Sequence, residues 1–99
     1  MGMRVVIADL DGTLSDYGHR IHHYKQRNYD AFNKAGKNDK PIENICNILR
    51  ALDREETEIV IMTARSDDNR PATQEWLRLN DVPCDRLIMR TKTVLLRML

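Results

Sequence analysis

The chain has 99 residues, a length that fits one domain, 1–99, with a single modest core. Charged residues make up 31% and the formal net charge is +1, so the overall charge gives no reason to expect a nucleic-acid or membrane surface. No apolar run approaches the roughly 20 residues of a membrane span, and the apolar start Val5-Val6-Ile7-Ala8 passes straight into Asp9 without the pattern of a signal peptide. The expected setting is a reducing cytoplasm, where Cys46 and Cys84 stay free thiols.

In chain order, Met3 to Ala8 predicts a buried strand, β-branched and followed by a turn at Gly12. Asp16-Tyr17-Gly18-His19 reads as loop. Ile21 to Ala35 carries a rough helical face of Ile21, Tyr24, Tyr29 and Phe32, with Gly36 as its stop. Lys37 to Lys40 is polar loop. The next helix has Pro41 near its first turn and Ile42, Ile45, Cys46, Leu49 and Leu52 at helical spacing. Glu58 to Thr63 is a second strand, and Ala64 to Asn69 a loop. Pro71 to Leu79 is a third helix with Trp76, Leu77 and Leu79 inward. Leu87-Ile88-Met89 is a short third strand, and Val94, Leu95, Met98 and Leu99 fall at helical spacing. The cations Arg86, Arg90, Lys92 and Arg97 read as solvated surface. This alternation predicts an α/β domain, a parallel sheet flanked by helices. Ligands of such sheets sit at the carboxyl ends of strands, where Asp9 and Thr63 both fall.

Two aspartates separated by one residue at a strand end suit covalent phosphoryl transfer. Asp9 is fixed at the strand end, where its carboxylate can attack phosphorus. The turn at Gly12 lets Asp11 swing over the leaving oxygen, to give that oxygen a proton and later take one from water. A carboxylate facing a phosphate dianion needs a cation between them. Mg²⁺ serves with one or two carboxylates, phosphate and water. An Asp-Gly hairpin turn accounts for Asp11-Gly12 but leaves Asp9 unexplained.

The run Val5-Val6-Ile7-Ala8-Asp9-Leu10-Asp11-Gly12-Thr13-Leu14 resembles motif I of the haloacid dehalogenase (HAD) superfamily. The resemblance implies a Rossmann-like core, Asp9 as nucleophile and Asp11 as general acid/base. It also implies Mg²⁺ held by the Asp9 carboxylate and the Asp11 backbone carbonyl. Ile59-Val60-Ile61-Met62-Thr63-Ala64-Arg65 resembles motif II. There the Thr63 hydroxyl and the following backbone N–H at Ala64 donate to phosphoryl oxygens, and Arg65 adds a clamp. The Thr-Ala-Arg form, together with Arg20 eleven residues after Asp9, is similar to the 3′-phosphatase domain of bacteriophage polynucleotide kinase. That resemblance runs from Met3 to about Arg90. It implies that Arg20 and Arg65 engage the phosphate or nucleotide, and that the substrate is a phosphorylated small molecule or a nucleic-acid end. His19, His22 and His23 read as solvated rather than as metal ligands, and Trp76 as core.

The superfamily adds a motif III lysine and motif IV acids. Here no Asp or Glu follows Asp85, and Lys92 is the candidate for motif III. The expected core is therefore C-terminally shortened, with a free edge beside the first strand that invites a homodimer. Two other readings stand beside the hydrolase. One is a non-catalytic or weakened HAD-like protein that binds phosphate or a partner, and the other is a subunit completed by a second chain.

Overall fold

The computed structural model describes residues 3–91. Strand β1 (Arg4–Asp9) opens the chain. A turn leads to β2 (Ser15–Asp16), a 3₁₀ turn at Gly18–Arg20, and helices α1 (Ile21–Lys25) and α2 (Tyr29–Lys34). A second 3₁₀ turn at Ala35–Asn38 precedes β3 (Lys40–Pro41) and α3 (Glu43–Leu52). Strand β4 (Thr57–Ser66), a 3₁₀ turn at Asp67–Asn69, α4 (Arg70–Leu79) and β5 (Arg86–Arg90) complete the order.

The main sheet is parallel with strand order β1-β4-β5. The step from β1 to β4 passes through α1, α2 and α3, and the step from β4 to β5 through α4, the long crossovers that parallel pairing requires. Leu10, Leu14, Cys46, Leu49, Ile59, Ile61, Trp76, Leu77 and Val82 form the core. Ile59 and Ile61 of β4 and the inward stripes of α3 and α4 supply most of it, and Leu10, Leu14 and Val82 come from the turns after β1 and α4. A separate antiparallel pair, β2 with β3, ties the two ends of the segment between β1 and α3. No helix of the described residues is long and apolar enough to cross a membrane.

The α/β expectation holds, and several local expectations do not. The helix over Ile21 to Ala35 is two short helices. Arg27 takes φ +59, and Asn28 then caps α2 by accepting from Ala31 N at 3.2 Å. Gly36 is not a helix stop but a buried 3₁₀ residue against which Arg65 packs; a Cβ there would meet the guanidinium at 3.2 Å. Pro41 sits in β3, outside α3. The loop expected at Ala64 is the continuation of β4 to Ser66. Leu79 faces out at 67% exposure, because Trp76 and Leu77 already fill the inward stripe of α4. Strand β1 is buried on one side only. Val5 and Ile7 are exposed, with Met62 and Ile88 beside them on the adjoining strands, because α3 and α4 pack on the opposite face. The helical spacing at Val94 to Leu99 lies outside the described residues.

Candidate active site

The chain reverses direction immediately after β1. Leu10 is fully buried, and its carbonyl accepts from Thr13, Leu14 and Ser15 N at 3.2, 2.9 and 3.0 Å. Gly12 supports the reversal with φ +83, where a Cβ would also come within 2.9 Å of the Tyr17 ring. Asp9 therefore stays at the strand end, while Asp11 is carried off the sheet toward the segment that follows.

Asp9 is exposed, and its Oδ1 accepts from Leu10 N at 3.0 Å. It lines a shallow cavity of about 370 Å³ with Thr63, Ala64, Met62, Ile88, Met89 and Arg90. This cavity opens at the carboxyl ends of β1, β4 and β5, where the topology places ligands.

Asp11 has a different environment. Thr63 Oγ1 donates to its Oδ2 at 3.2 Å. Arg65 donates through Nη2 at 2.7 Å and through Nε at 3.1 and 3.2 Å, and Arg20 through Nη2 at 2.7 Å. Thr63 and Arg65 are two residues apart and so share a face of β4. They fall where the β4–β5 register shifts, between Met62 and Ser66, an irregularity of the kind that re-aims side chains beside active sites. Burial alone pushes the Asp11 carboxyl up. The hydrogen bonds and charges of Arg65 and Arg20 outweigh it and hold the pKa below the ordinary 3.8. Asp11 is thus an ionised acceptor in this arrangement.

The sequence reading missed one member of this site, Asp39. Its side chain is fully buried, and its carboxylate accepts from Arg20 Nε and Nη2, both at 2.7 Å, from His19 Nε2 at 2.7 Å and from Arg65 Nη2 at 3.4 Å. Its backbone carbonyl accepts from the Trp76 indole at 2.8 Å. Two aspartates and two arginines thus form one charge-balanced set, buried except at Asp11, whose side chain is 26% exposed. The Arg20 side chain is only 1% exposed. Against its burial, Asp39 and Asp11 raise the Arg20 pKa, so the guanidinium is charged. Position 39 lies in a polar run that resembles any loop, and only the distant contact gives it meaning.

Several expectations change on this geometry. Arg20 and Arg65 were expected to engage phosphate. In this structure every nitrogen of both guanidiniums donates to a protein oxygen, the remaining acceptors being Phe32 O for Arg20 and Thr73 Oγ1 for Arg65. Both are pointed at Asp11 and Asp39. His19 is not simply solvated, because its ring is bonded to Asp39, whereas His22 and His23 stack on each other with centroids 3.9 Å apart. Trp76 is core, as expected, with the added hydrogen bond. Arg20, Thr63 and Arg65 are brought together around Asp11, and Thr63 and Ala64 also border the cavity of Asp9. Lys92 lies outside the described residues.

For a divalent cation, the donors at this strand end are hard oxygens. Asp9 offers an exposed carboxylate, and Asp11 can add its backbone carbonyl, since its side chain is committed elsewhere. Among the described residues, no group of three or more His, Cys, Asp or Glu side chains converges on a metal-sized site. One carboxylate and one carbonyl fit Mg²⁺, which commonly fills its shell with phosphate and water. They do not form a closed protein cage.

Comparison with known proteins bears on the family and the fold. The profile of the family described as the polynucleotide kinase PNKP phosphatase domain matches residues 3–94. Among solved structures, a chain of the Pnkp1/Rnl/Hen1 complex superposes with TM-score 0.71 at 22% identity, over 92% of this chain and 29% of that one. A chain of the Pnkp1/Rnl/Hen1 RNA repair complex gives 0.68 at 20% identity, over 93% and 27%. A structure from Vibrio cholerae gives 0.59 at 26% identity, over 88% and 69%. The chain thus spans under a third of the two repair-complex chains that it resembles in fold. No curated protein sequence matches it. With the family profile covering nearly its whole length, the chain belongs to the polynucleotide kinase phosphatase-domain family of the HAD superfamily.

Proposed function

We propose that the chain is a Mg²⁺-dependent phosphomonoester hydrolase acting through an aspartyl-phosphate on Asp9, with a nucleic-acid 3′ end or a nucleotide as substrate. The observation that carries this reading is the different treatment of the two aspartates. Asp9 is exposed in the strand-end cavity, whereas Asp11 is anchored by two buried arginines and Thr63.

In the first step an Asp9 oxygen forms a bond to phosphorus as the bond to the leaving oxygen breaks, and Asp11 supplies the proton that oxygen needs. In the second, water attacks phosphorus, Asp11 takes its proton, and the bond to Asp9 breaks. Asp11 starts ionised, so it must gain a proton before the first step. An arriving phosphate dianion favours this, since a like charge raises a carboxyl pKa. Arg20 and Arg65 serve as positioning residues, fixing the Asp11 carboxylate rather than gripping the substrate. Thr63 and the Ala64 N–H border the place of the phosphoryl oxygens. Mg²⁺, held by Asp9 and the Asp11 carbonyl, would offset the repulsion between carboxylate and phosphate. The RNA repair complex named among the structural neighbours supports a nucleic-acid end as substrate.

The test is release of phosphate from p-nitrophenyl phosphate and from a 3′-phosphorylated oligonucleotide, with Mg²⁺ and with EDTA. Wild type is expected to turn over with Mg²⁺ only, and Asp9→Asn to lose at least a hundredfold. Equal release by the two proteins would refute catalysis at this site.

A further inference from the structure

Helices α1 and α2 lie between Arg20 and Asp39, and their outer surface is not explained by the catalytic network. Lys25 at the end of α1, Arg27 between the helices, Lys34 at the end of α2 and Lys37 in the following 3₁₀ turn are all exposed. The one exposed acid in the segment, Asp30, is paired with Lys34 at 3.0 Å, and Lys25, Arg27 and Lys37 form no ion pair with another described residue.

Two large rings alternate with these cations along the chain. Tyr24 is 53% and Tyr29 52% exposed, with centroids 5.5 Å apart at an interplanar angle of 69°. The Tyr24 ring also lies 5.5 Å from the Phe32 ring. Arg20 Cζ stands 4.2 Å over Phe32, and Arg20 Nη2 is 2.7 Å from Asp11. An unbroken line of contacts therefore runs from two half-exposed tyrosines to the proposed acid/base. Exposed aromatic faces interleaved with unpaired cations match what single-stranded nucleic acid requires. Bases stack on rings without regard to sequence, and cations follow the phosphates.

We propose that Tyr24 and Tyr29, with Lys25, Arg27 and Lys37, form a docking surface for a single-stranded polynucleotide. Bases preceding the terminal phosphate stack on the two rings while that phosphate lies at Asp9. The proposal rests on the hydrolase reading for the placement of the strand's end, and the binding itself needs no turnover. Two exposed rings and separated cations suit several nucleotides in a row more than a mononucleotide.

Fluorescence anisotropy tests it, using end-labelled single-stranded DNA and RNA of about eight nucleotides, a 3′-phosphorylated mononucleotide as competitor, and a salt series. Wild type should bind the long strand at least tenfold more tightly than the mononucleotide. Tyr29→Ala should weaken the long strand at least fivefold, and Tyr29→Phe should stay within twofold of wild type. Arg27→Gln should reduce the salt slope by about one, with circular dichroism confirming that each variant is folded. Absence of oligonucleotide binding by wild type, or equal binding by Tyr29→Ala, overturns the proposal. So does equal binding of polyglutamate or anionic vesicles with the same dependence on Tyr29. A chain that binds in the expected pattern but releases no phosphate keeps this surface and sinks the hydrolase. Turnover without the binding pattern does the reverse.

Discussion

Replacing Asp39 by alanine removes the fully buried anion from a set of two carboxylates and two guanidiniums. Arg20 loses its one partner at Nε and one of its two partners at Nη2, and keeps Phe32 O and Asp11. Both side chains of the Arg20–Asp39 pair are essentially sealed from solvent, at 1% and 0% exposure. Breaking such a pair leaves an uncompensated charge and costs about 3–5 kcal/mol. A domain this small has a stability of only about 5–15 kcal/mol, so the variant should sit near the edge of folding. Urea denaturation followed by circular dichroism reads the loss directly. The control is Asp30→Ala, which breaks the Lys34 pair whose members are 74% and 79% exposed, and should change stability by about 0.5 kcal/mol at most. An Asp39→Ala loss below about 1 kcal/mol would refute the claim that the arginines depend on this carboxylate. If the reasoning holds, kcat/KM also falls with Asp39→Ala, because Asp11 loses its fixed orientation while Asp9 is untouched.

Two further outcomes follow from the same site. The Asp11 carboxyl is depressed in the folded state, so its pairing stabilises the protein above the ordinary pKa of 3.8, and that contribution disappears as pH falls through the lower folded value. The stability difference between wild type and Asp11→Asn should therefore be constant near neutrality and shrink only in acid below 3.8; a difference that shrinks between pH 8 and 6 would contradict this sign. Gly36→Ala places a methyl group 3.2 Å from the Arg65 guanidinium. It should cost about 1–3 kcal/mol in thermal or urea unfolding, and a neutral result would mean that Arg65 is free to shift.

The strands and the aspartate pair were legible because their information is local. An apolar β-branched run ends in Asp9, and Asp11 and Gly12 follow within three residues. Thr63 and Arg65 were legible for the same reason, as they end a second apolar run. What the residues did not reveal was direction. Arg20 and Arg65 were identified as site residues, but whether a guanidinium faces substrate or a buried carboxylate depends on Asp39, nineteen positions from Arg20. The break at Arg27 was equally hidden, because neither Gly nor Pro marks it and the positive φ belongs to an arginine. The apolar run of β1 announced a strand without saying how many of its faces would be covered.

The two short strands β2 and β3 and the bond between Arg20 and Asp39 close the segment from Ser15 to Pro41 like a clasp. Most of what fixes Asp11 lies at or outside the clasp, with the Phe32 carbonyl the chief contribution from within. The stretch between is therefore a natural cassette. Its length and surface can be exchanged, by recombination or by design, while the two aspartates keep their places, provided the graft returns one carbonyl to Arg20 and a small residue beside Arg65.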